Sequence, residues 1–468
     1  MAVGPDTRGC LPRSSRYVCA AWFAFWFGGC SSPPERHLNP LDERIPSYWT
    51  AASAPPESVP EHWVASFKAP ALNALVRDAL ANNYDLKAAA ARVDAARQQP
   101  RIDGAGRWPQ LFFAPGYERA RVRSAGFGAT EFSAFEALFT LDWELDVWGR
   151  IRAFQQASAE EANATEADFH AARLSLAART AQSYFELAEA KLQTEVAERS
   201  IEDRRTIVDL VRGRFARGLT RGLDLRLALT DLANAEAQLA AARNHVQLVT
   251  RRLEVLLGRY PAARLTAAAS LPEPPGPVPA GLPSELLERR PDLAAAFERL
   301  RAADFRVESA QKALLPRIAL TAGGGTRSAA LTELVDPRAV AWNVALGLVQ
   351  PLFTGGRLKG EIRLNQALAE EALHFYKSTA LNAFREVEQS LAAEAWLRDQ
   401  ERALKEAVEQ TEASRKLAVY SYRQGFIEIL TLLDSYRSTL NAQSAYLSVK
   451  RQLLSNRIDL YLALGGGV

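Results

Sequence analysis

Cysteine is scarce in this sequence: there are three in 468 residues, and two of them, Cys10 and Cys19, fall in a leader-like N-terminal stretch. Cys30 would then be the only thiol left, so an exported form of the chain has no internal disulfide. Histidine is nearly as rare. His37, His62, His170, His245 and His374 are scattered without metal-ligand spacing, and each reads as a surface position. An excess of one charge is missing too: the formal net charge is +3, which argues against nucleic acid as a partner. No phosphate-binding loop of the Walker type occurs, and Gly323-Gly324-Gly325 is explained by a turn at a strand end. The carboxylate pairs Glu160-Glu161 and Glu370-Glu371 are adjacent on helices, point in different directions and read as solvated. No enzyme and no cofactor are expected from these residues.

Two further absences are the most informative. Residues 150 to 212 and 361 to 424 contain neither glycine nor proline, and both are rich in Ala, Leu, Glu, Gln and Arg, all strong helix formers. About 63 residues at 1.5 Å per residue make a helix on the order of 95 Å long. Such helices are spans rather than packing units of a compact core. Thirteen alanines between Ala153 and Ala190 let neighbouring backbones approach closely. The apolar stripe of this helix is thin and interrupted by Glu160, Glu161, Asp168, Arg173 and Arg179, which fits a wall with water on both sides.

The chain is written twice at a constant offset of 207 residues. Gly149-Arg150 returns as Gly356-Arg357, Gly218 as Gly425, Leu257-Gly258 as Leu464-Gly465, and Asp85-Leu86 as Asp292-Leu293. Repeat 1 occupies residues 71–260 and repeat 2 residues 284–468, joined by a linker over 261–283 that holds seven prolines. Each repeat reads as a helix, a hairpin, a long helix and a return helix. The first helices run from Ala71 to about Gln99, closed by Pro100, and from Ser284 to about Leu315, ended by Pro316. The turns between the long helices fall at Gly213 to Gly222 and at Gly425; Gly218, Gly222 and Gly425 are the expected tip residues.

Between the first and second helix of each repeat the apolar period changes from 3.6 to 2. Phe135, Ala137, Phe139, Leu141, Trp143 and Leu145 alternate with Glu136, Thr140, Asp142 and Glu144, and a partner strand lies near Gln110 to Val122. Repeat 2 places strands at Arg317 to Ala322 and Val340 to Phe353. Strands with one apolar face are what a membrane β-barrel uses, since lipid tolerates no open sheet edge. Four strands cannot close a barrel, so the chain must pool strands with copies of itself. Two, three or four copies would give 8, 12 or 16 strands, and periodicity leaves all three open.

Residues 1–29 read as a signal peptide: Arg8, Arg13 and Arg16 precede an apolar run from Tyr17 to Phe27 that is too short for a stable anchor. Gly28-Gly29-Cys30, followed by Ser31-Ser32-Pro33-Pro34, resembles a bacterial lipoprotein cleavage site with Cys30 as the acylated first residue; the alternative is an ordinary signal peptide cut nearby. Residues 30–70 hold eight prolines and are expected as an extended arm along the body.

Several stretches together resemble the TolC-like outer-membrane factors, in their OprM/NodT-type lipoprotein branch. They are Asn82-Asn83-Tyr84-Asp85-Leu86, Trp143-Glu144-Leu145-Asp146-Val147-Trp148-Gly149-Arg150, Glu288-Arg289-Arg290-Pro291-Asp292-Leu293, Gln350-Pro351-Leu352-Phe353, Tyr422-Arg423-Gln424-Gly425, Leu432-Leu433-Asp434 and the terminal Leu462-Ala463-Leu464-Gly465-Gly466-Gly467. The resemblance implies an α+β membrane protein: a homotrimer with a twelve-stranded outer-membrane β-barrel, four strands per chain, continuous with a long periplasmic α-helical barrel. It also implies a periplasmic adaptor and an inner-membrane pump, commonly of the resistance-nodulation-division type, in a tripartite efflux system of a Gram-negative cell. Leu430 and Asp434, four apart and so on one helix face, match the apolar and acidic rings that constrict the periplasmic mouth in that branch. Their repeat-1 equivalents are Leu223 and Leu227, so the acid occurs once per chain. The alternatives are a type I secretion duct and a periplasm-spanning coiled-coil lipoprotein without a pore.

Overall fold

The structure is a computed structural model and describes residues 36, 45–51, 62–124, 128–265, 270–276, 278 and 280–467. The chain divides into two compact units, one of residues 1–36, 103–157 and 303–369, the other of residues 37–102, 158–302 and 370–468.

The first unit is built on an antiparallel sheet of four strands in the order β1 (Gln110–Ser124), β2 (Gly128–Leu145), β3 (Arg317–Ser328), β4 (Val340–Val349). Its register is continuous, pairing Phe113 with Phe139, Phe139 with Gly324 and Gly324 with Trp342. Because side chains alternate across a strand, one face collects Leu111, Phe113, Tyr117, Phe139, Leu141, Leu320, Trp342, Val344 and Leu346, and the other Glu118, Glu136, Asp142, Thr321 and Asn343. The apolar face is bare: Trp342 is 79% exposed, Leu346 70% and Leu111 66%. Strands β1 and β4 are the open edges.

β3 runs past the expected end at Ala322, and Gly323-Gly324-Gly325 lies inside it rather than in a turn. Close approach of backbone requires glycine at Gly325, whereas Gly323 is crowded only by the end of a side chain. A Cβ on Gly325 would fall on the Ala137 carbonyl oxygen and 2.9 Å from the Leu138 Cα, and one on Gly323 would meet the Asn343 Oδ1.

In the second unit the first helix of repeat 1 is two helices, α1 (Pro70–Asn82) and α2 (Tyr84–Gly104), and Pro100 sits within α2 instead of ending it. The break is at Asn83, whose Oδ1 accepts from the Leu86 N–H at 3.0 Å while its Nδ2 donates to the Leu256 carbonyl at 3.0 Å. Repeat 2 breaks likewise, into the single turn α5 (Leu286–Arg289) and α6 (Pro291–Lys312). The buried Arg290 at that break donates to Asp292, to Glu386 and to the Ala463 carbonyl.

The long helices are α3 (Arg150–Ala216) and α7 (Arg357–Gln424), of 67 and 68 residues. Their return helices, α4 (Gly222–Leu256) and α8 (Ile429–Ala463), have 35 residues each. Among the described residues, no helix is long and apolar enough to cross a membrane. The main core gathers Phe67, Leu72, Ala177, Ala181, Phe185, Leu293, Tyr376, Ala380, Leu454 and Ile458 around Trp63, which stacks on Tyr461 at 5.6 Å. Fully burying such an aromatic contributes roughly 1.5–3 kcal/mol.

From residue 45 the described part of the N-terminal arm packs into this unit, and it is helical rather than extended over Trp63–Phe67, while Arg36 belongs to the first unit and pairs with Asp304 at 2.9 Å. Trp49 donates to the Ala280 carbonyl at 3.1 Å, and the backbone N–H groups of Thr50 and Ala51 donate to the Glu388 carboxylate.

Glu160 is not solvated. It is 8% exposed and accepts from Arg301 at 2.7 Å and from Asn163 at 3.1 Å, and Arg301 also reaches Glu298 at 3.1 Å. Burial and the hydrogen-bonded Glu160 carboxylate push Glu298 up to about 7. Glu161 pairs with Arg299 at 3.5 Å, whereas Glu370 and Glu371 are exposed. Glu160 lies between the buried Ala157 and Ala162 of α3 and faces Arg301 of α6, which accounts for its burial.

Candidate functional site

The helix turns of the second unit form the candidate constriction. α3 ends at Ala216 and α4 begins at Gly222; α7 ends at Gln424 and α8 begins at Ile429. Gly218 has φ +69° and Gly425 φ +83°, the left-handed conformation that closes a helix with little strain only for glycine. Leu219 N donates to the Arg214 carbonyl and Phe426 N to the Ser421 carbonyl, the six-to-one bonds of a Schellman cap. Gly213 and Gly222 are helical, without positive φ, so the repeat-1 turn is narrower than the glycine spacing predicts. Gly222 opens α4 rather than shaping the turn.

Below the turns, Ile207, Val208 and Val211 of α3, Ala228 of α4, Ala418 and Tyr422 of α7, and Ile429, Leu432, Leu433 and Tyr436 of α8 form one buried cluster. Three polar ties cross it. Arg204 of α3 binds Asp231 of α4 at 2.7 Å, and Arg415 of α7 binds Asp203 of α3 at 2.7 Å while lying over the Tyr436 ring. Arg214 lies over Tyr422 and donates to the last carbonyls of α7. Burial raises the Tyr422 phenol, and the Thr220 hydroxyl and Arg214 partly offset it. Asp224 accepts from the Arg221 N–H at 3.3 Å and from the Thr220 hydroxyl, capping α4. Its repeat-2 counterpart is Thr431, so the two turns are chemically unlike.

α8 splits its residues sharply here. Ile429, Leu432, Leu433 and Tyr436 go into the cluster, while Leu430, at 56% exposure, and Asp434 share the opposite, exposed side. Leu223, in the matching position of α4, is also exposed and Leu227 is partly covered. Leu223 and Leu430 are thus bare leucines in the first turn of α4 and α8, and Asp434 is a bare carboxylate one turn on; Leu219 and Glu428, in the turns themselves, are exposed as well. Cys30 lies outside the described residues.

The family model described as outer membrane efflux protein matches residues 75–259 and 282–466, a long segment in each repeat. The chain belongs to the outer membrane efflux protein family. It is 32% identical to the outer membrane protein OprJ of Pseudomonas aeruginosa over 96% of this chain and 95% of that relative. It is 31% identical to the pyoverdine export outer membrane protein OpmQ of Pseudomonas putida, over 97% of each. The open state of the MtrE outer membrane channel of Neisseria gonorrhoeae superposes with a TM-score of 0.82 at 27% identity, covering 94% of this chain and 98% of that one.

The efflux protein therefore has the fold of a TolC-like channel subunit, written as two repeats, and is the outer-membrane component of an efflux system. The poreless coiled coil is set aside, since it gives no role to a sheet with a continuous apolar face. Sequence reasoning missed the ties made by Asp203, Arg204, Arg214 and Arg415. Their signal is faint: Asp203-Arg204 is an opposite-charge dipeptide in a helix whose adjacent positions, Ile201 and Ile207, are buried.

Proposed function

We propose that three copies of this efflux protein assemble into a twelve-stranded β-barrel in the outer membrane of a Gram-negative cell. Their helices form a tunnel into the periplasm. The observation that carries this reading is the pair of open strands β1 and β4 on a sheet whose apolar side chains are bare. Lipid contact rewards that face, and edge-to-edge pairing between copies satisfies the backbone groups of both edges.

Within the trimer, Leu430 and Asp434 of three chains converge near the turns, giving an apolar ring and a carboxylate ring at the periplasmic mouth. The duct is passive. A periplasmic adaptor docks near the turns, and an inner-membrane pump, of the resistance-nodulation-division type, supplies the energy. The cargo is drugs or other small toxic compounds, which a water-filled duct passes without a dedicated recognition site. No catalytic step is assigned to the chain. Cys30 is the acylated residue and adds a lipid anchor, although the barrel buries far more apolar area than one or two acyl groups.

Reconstitution in planar bilayers tests the reading. A detergent-stable trimer with low, gated conductance is expected; a monodisperse monomer without conductance would overturn it. Mass spectrometry of the N-terminus should find diacylglycerol on Cys30, and Cys30→Ser with a conventional signal peptide should still give an outer-membrane trimer.

A further inference from the structure

The apolar face of the sheet does not end in neutral residues at the hairpin tip. On β1 the side chains facing the lipid are Leu111, Phe113, Pro115 and Tyr117, and the same alternation continues as Arg119, Arg121 and Arg123. Two contacts fix the face. Tyr117 packs on Phe135 with ring centroids 4.6 Å apart, and Arg121, opposite Glu131, reaches that carboxylate at 3.4 Å. Arg119 reaches the same Glu131 at 3.5 Å. All three arginines are exposed.

Position matters as much as charge. Strand ends Gln110, Leu145, Arg317 and Val349 lead into helices or short connections to helices, so the β1–β2 tip lies at the far end of the sheet. On β2 the apolar face extends from Leu145 to Phe135, ten steps at about 3.3 Å, or roughly 25 Å of height at a tilt near 40°. That matches the apolar band of about 25 Å on outer-membrane barrels. Arg119 pairs with Ser133, two residues beyond Phe135, so the arginines begin where the hydrocarbon ends. One carboxylate cannot neutralise three guanidiniums, and exposed pairs at 3.4 and 3.5 Å contribute little. Pairing of β1 with a neighbouring copy would use backbone groups and leave these outward side chains free.

We propose that Arg119, Arg121 and Arg123 form a docking site for the phosphate groups of lipid A in the outer leaflet. Guanidiniums spaced by two residues along one strand, about 7 Å apart, present forked donors at the height where those phosphates lie. Glu131 limits the net charge of the patch to +2 and restrains two of the three forks. The site rests on the barrel reading above, but its occupancy is read separately from conduction.

Native mass spectrometry of the purified trimer, titrated with bisphosphorylated lipid A, monophosphorylated lipid A or phosphatidylglycerol, tests the site. The parent is expected to hold bisphosphorylated lipid A most tightly. R119Q/R121Q/R123Q should weaken it on the order of tenfold or more, with conductance unchanged. E131Q, which frees both paired arginines, should tighten it and decides the question if the triple variant fails to assemble. Equal lipid A binding by parent and triple variant, a preference for phosphatidylglycerol, or no gain in E131Q would overturn the proposal.

Discussion

The Arg214 guanidinium lies 5.2 Å from the centre of the Tyr422 ring and donates to the Tyr422 carbonyl oxygen at 3.3 Å. One side chain of α3 thereby holds both the face of a residue on α7 and the end of that helix. The contact also completes the negative end of the α7 dipole. Its symmetry mates are Ser421 and Phe215, and the short uncharged serine cannot supply the cation over the ring, so this tie is made by repeat 1 alone.

Arg214→Ala should loosen the two turns from each other. Loss of a cation–π contact and two hydrogen bonds is expected to cost about 1–2 kcal/mol. Single-channel recording should show a higher open fraction with trimer assembly intact. An unchanged open fraction would mean that the turns are held by the buried cluster alone.

The glycines of β3 give a contrast within one strand. Gly325→Ala places a methyl group against the backbone of β2, which cannot move without breaking the ladder, so the heat-modifiable oligomer should be largely lost. Gly323→Ala meets only the end of the Asn343 side chain, which can rotate away. That variant should assemble normally. Electrophoresis with and without heating distinguishes the two.

The repeat and the helix plan were legible because glycine marks their joints: Gly149 and Gly356, Gly218 and Gly425, and Gly258 and Gly465 all have positive φ. Composition also gave the long helices, since no breaker occurs within them. What stayed illegible depended on tertiary contact. Gly323 to Gly325 look like a turn until the neighbouring strands are known to crowd Gly323 and Gly325, and Pro100 sits inside α2 although its missing N–H removes one i→i−4 bond. Asn83 breaks a helix that its flanking alanines favour, by capping α2 and binding the end of α4. At the constriction, the periodicity placed Leu430 and Asp434 on one face, but nothing in it disclosed the arginines behind them.

Glu298 gives the second unit a pH dependence. Its carboxyl, near 4.5 when unperturbed, is raised to about 7, so the folded state binds this proton more tightly than the unfolded chain does. Its contribution to stability is complete below about 4.5 and is lost as pH rises through 7. Glu298→Gln keeps a hydrogen-bonding group beside Glu160 and removes the charge. The variant should unfold at a higher temperature than the parent at pH 8, by a few degrees, and at a similar temperature at pH 4. A benefit of equal size at both would show that packing, not charge, sets the difference.

The constriction itself is tested by Leu430→Ala combined with Asp434→Ala. Three exposed carboxylates around one axis would attract cations, and three leucines one turn away would narrow and dry the same passage. Removing both should raise conductance several-fold, weaken cation preference and admit large antibiotics such as vancomycin into cells that carry the variant. Glu370→Ala is the control, since Glu370 is exposed and pairs only loosely with His374 at 3.9 Å; Glu160 cannot serve, being buried against Arg301. Asp434→Asn alone separates the two contributions, because it removes charge while leaving width nearly unchanged: cation preference should fall with little gain in conductance. If the double variant conducts like the parent with the same ion preference, the gate lies elsewhere along the duct and Asp434 is an ordinary solvated acid.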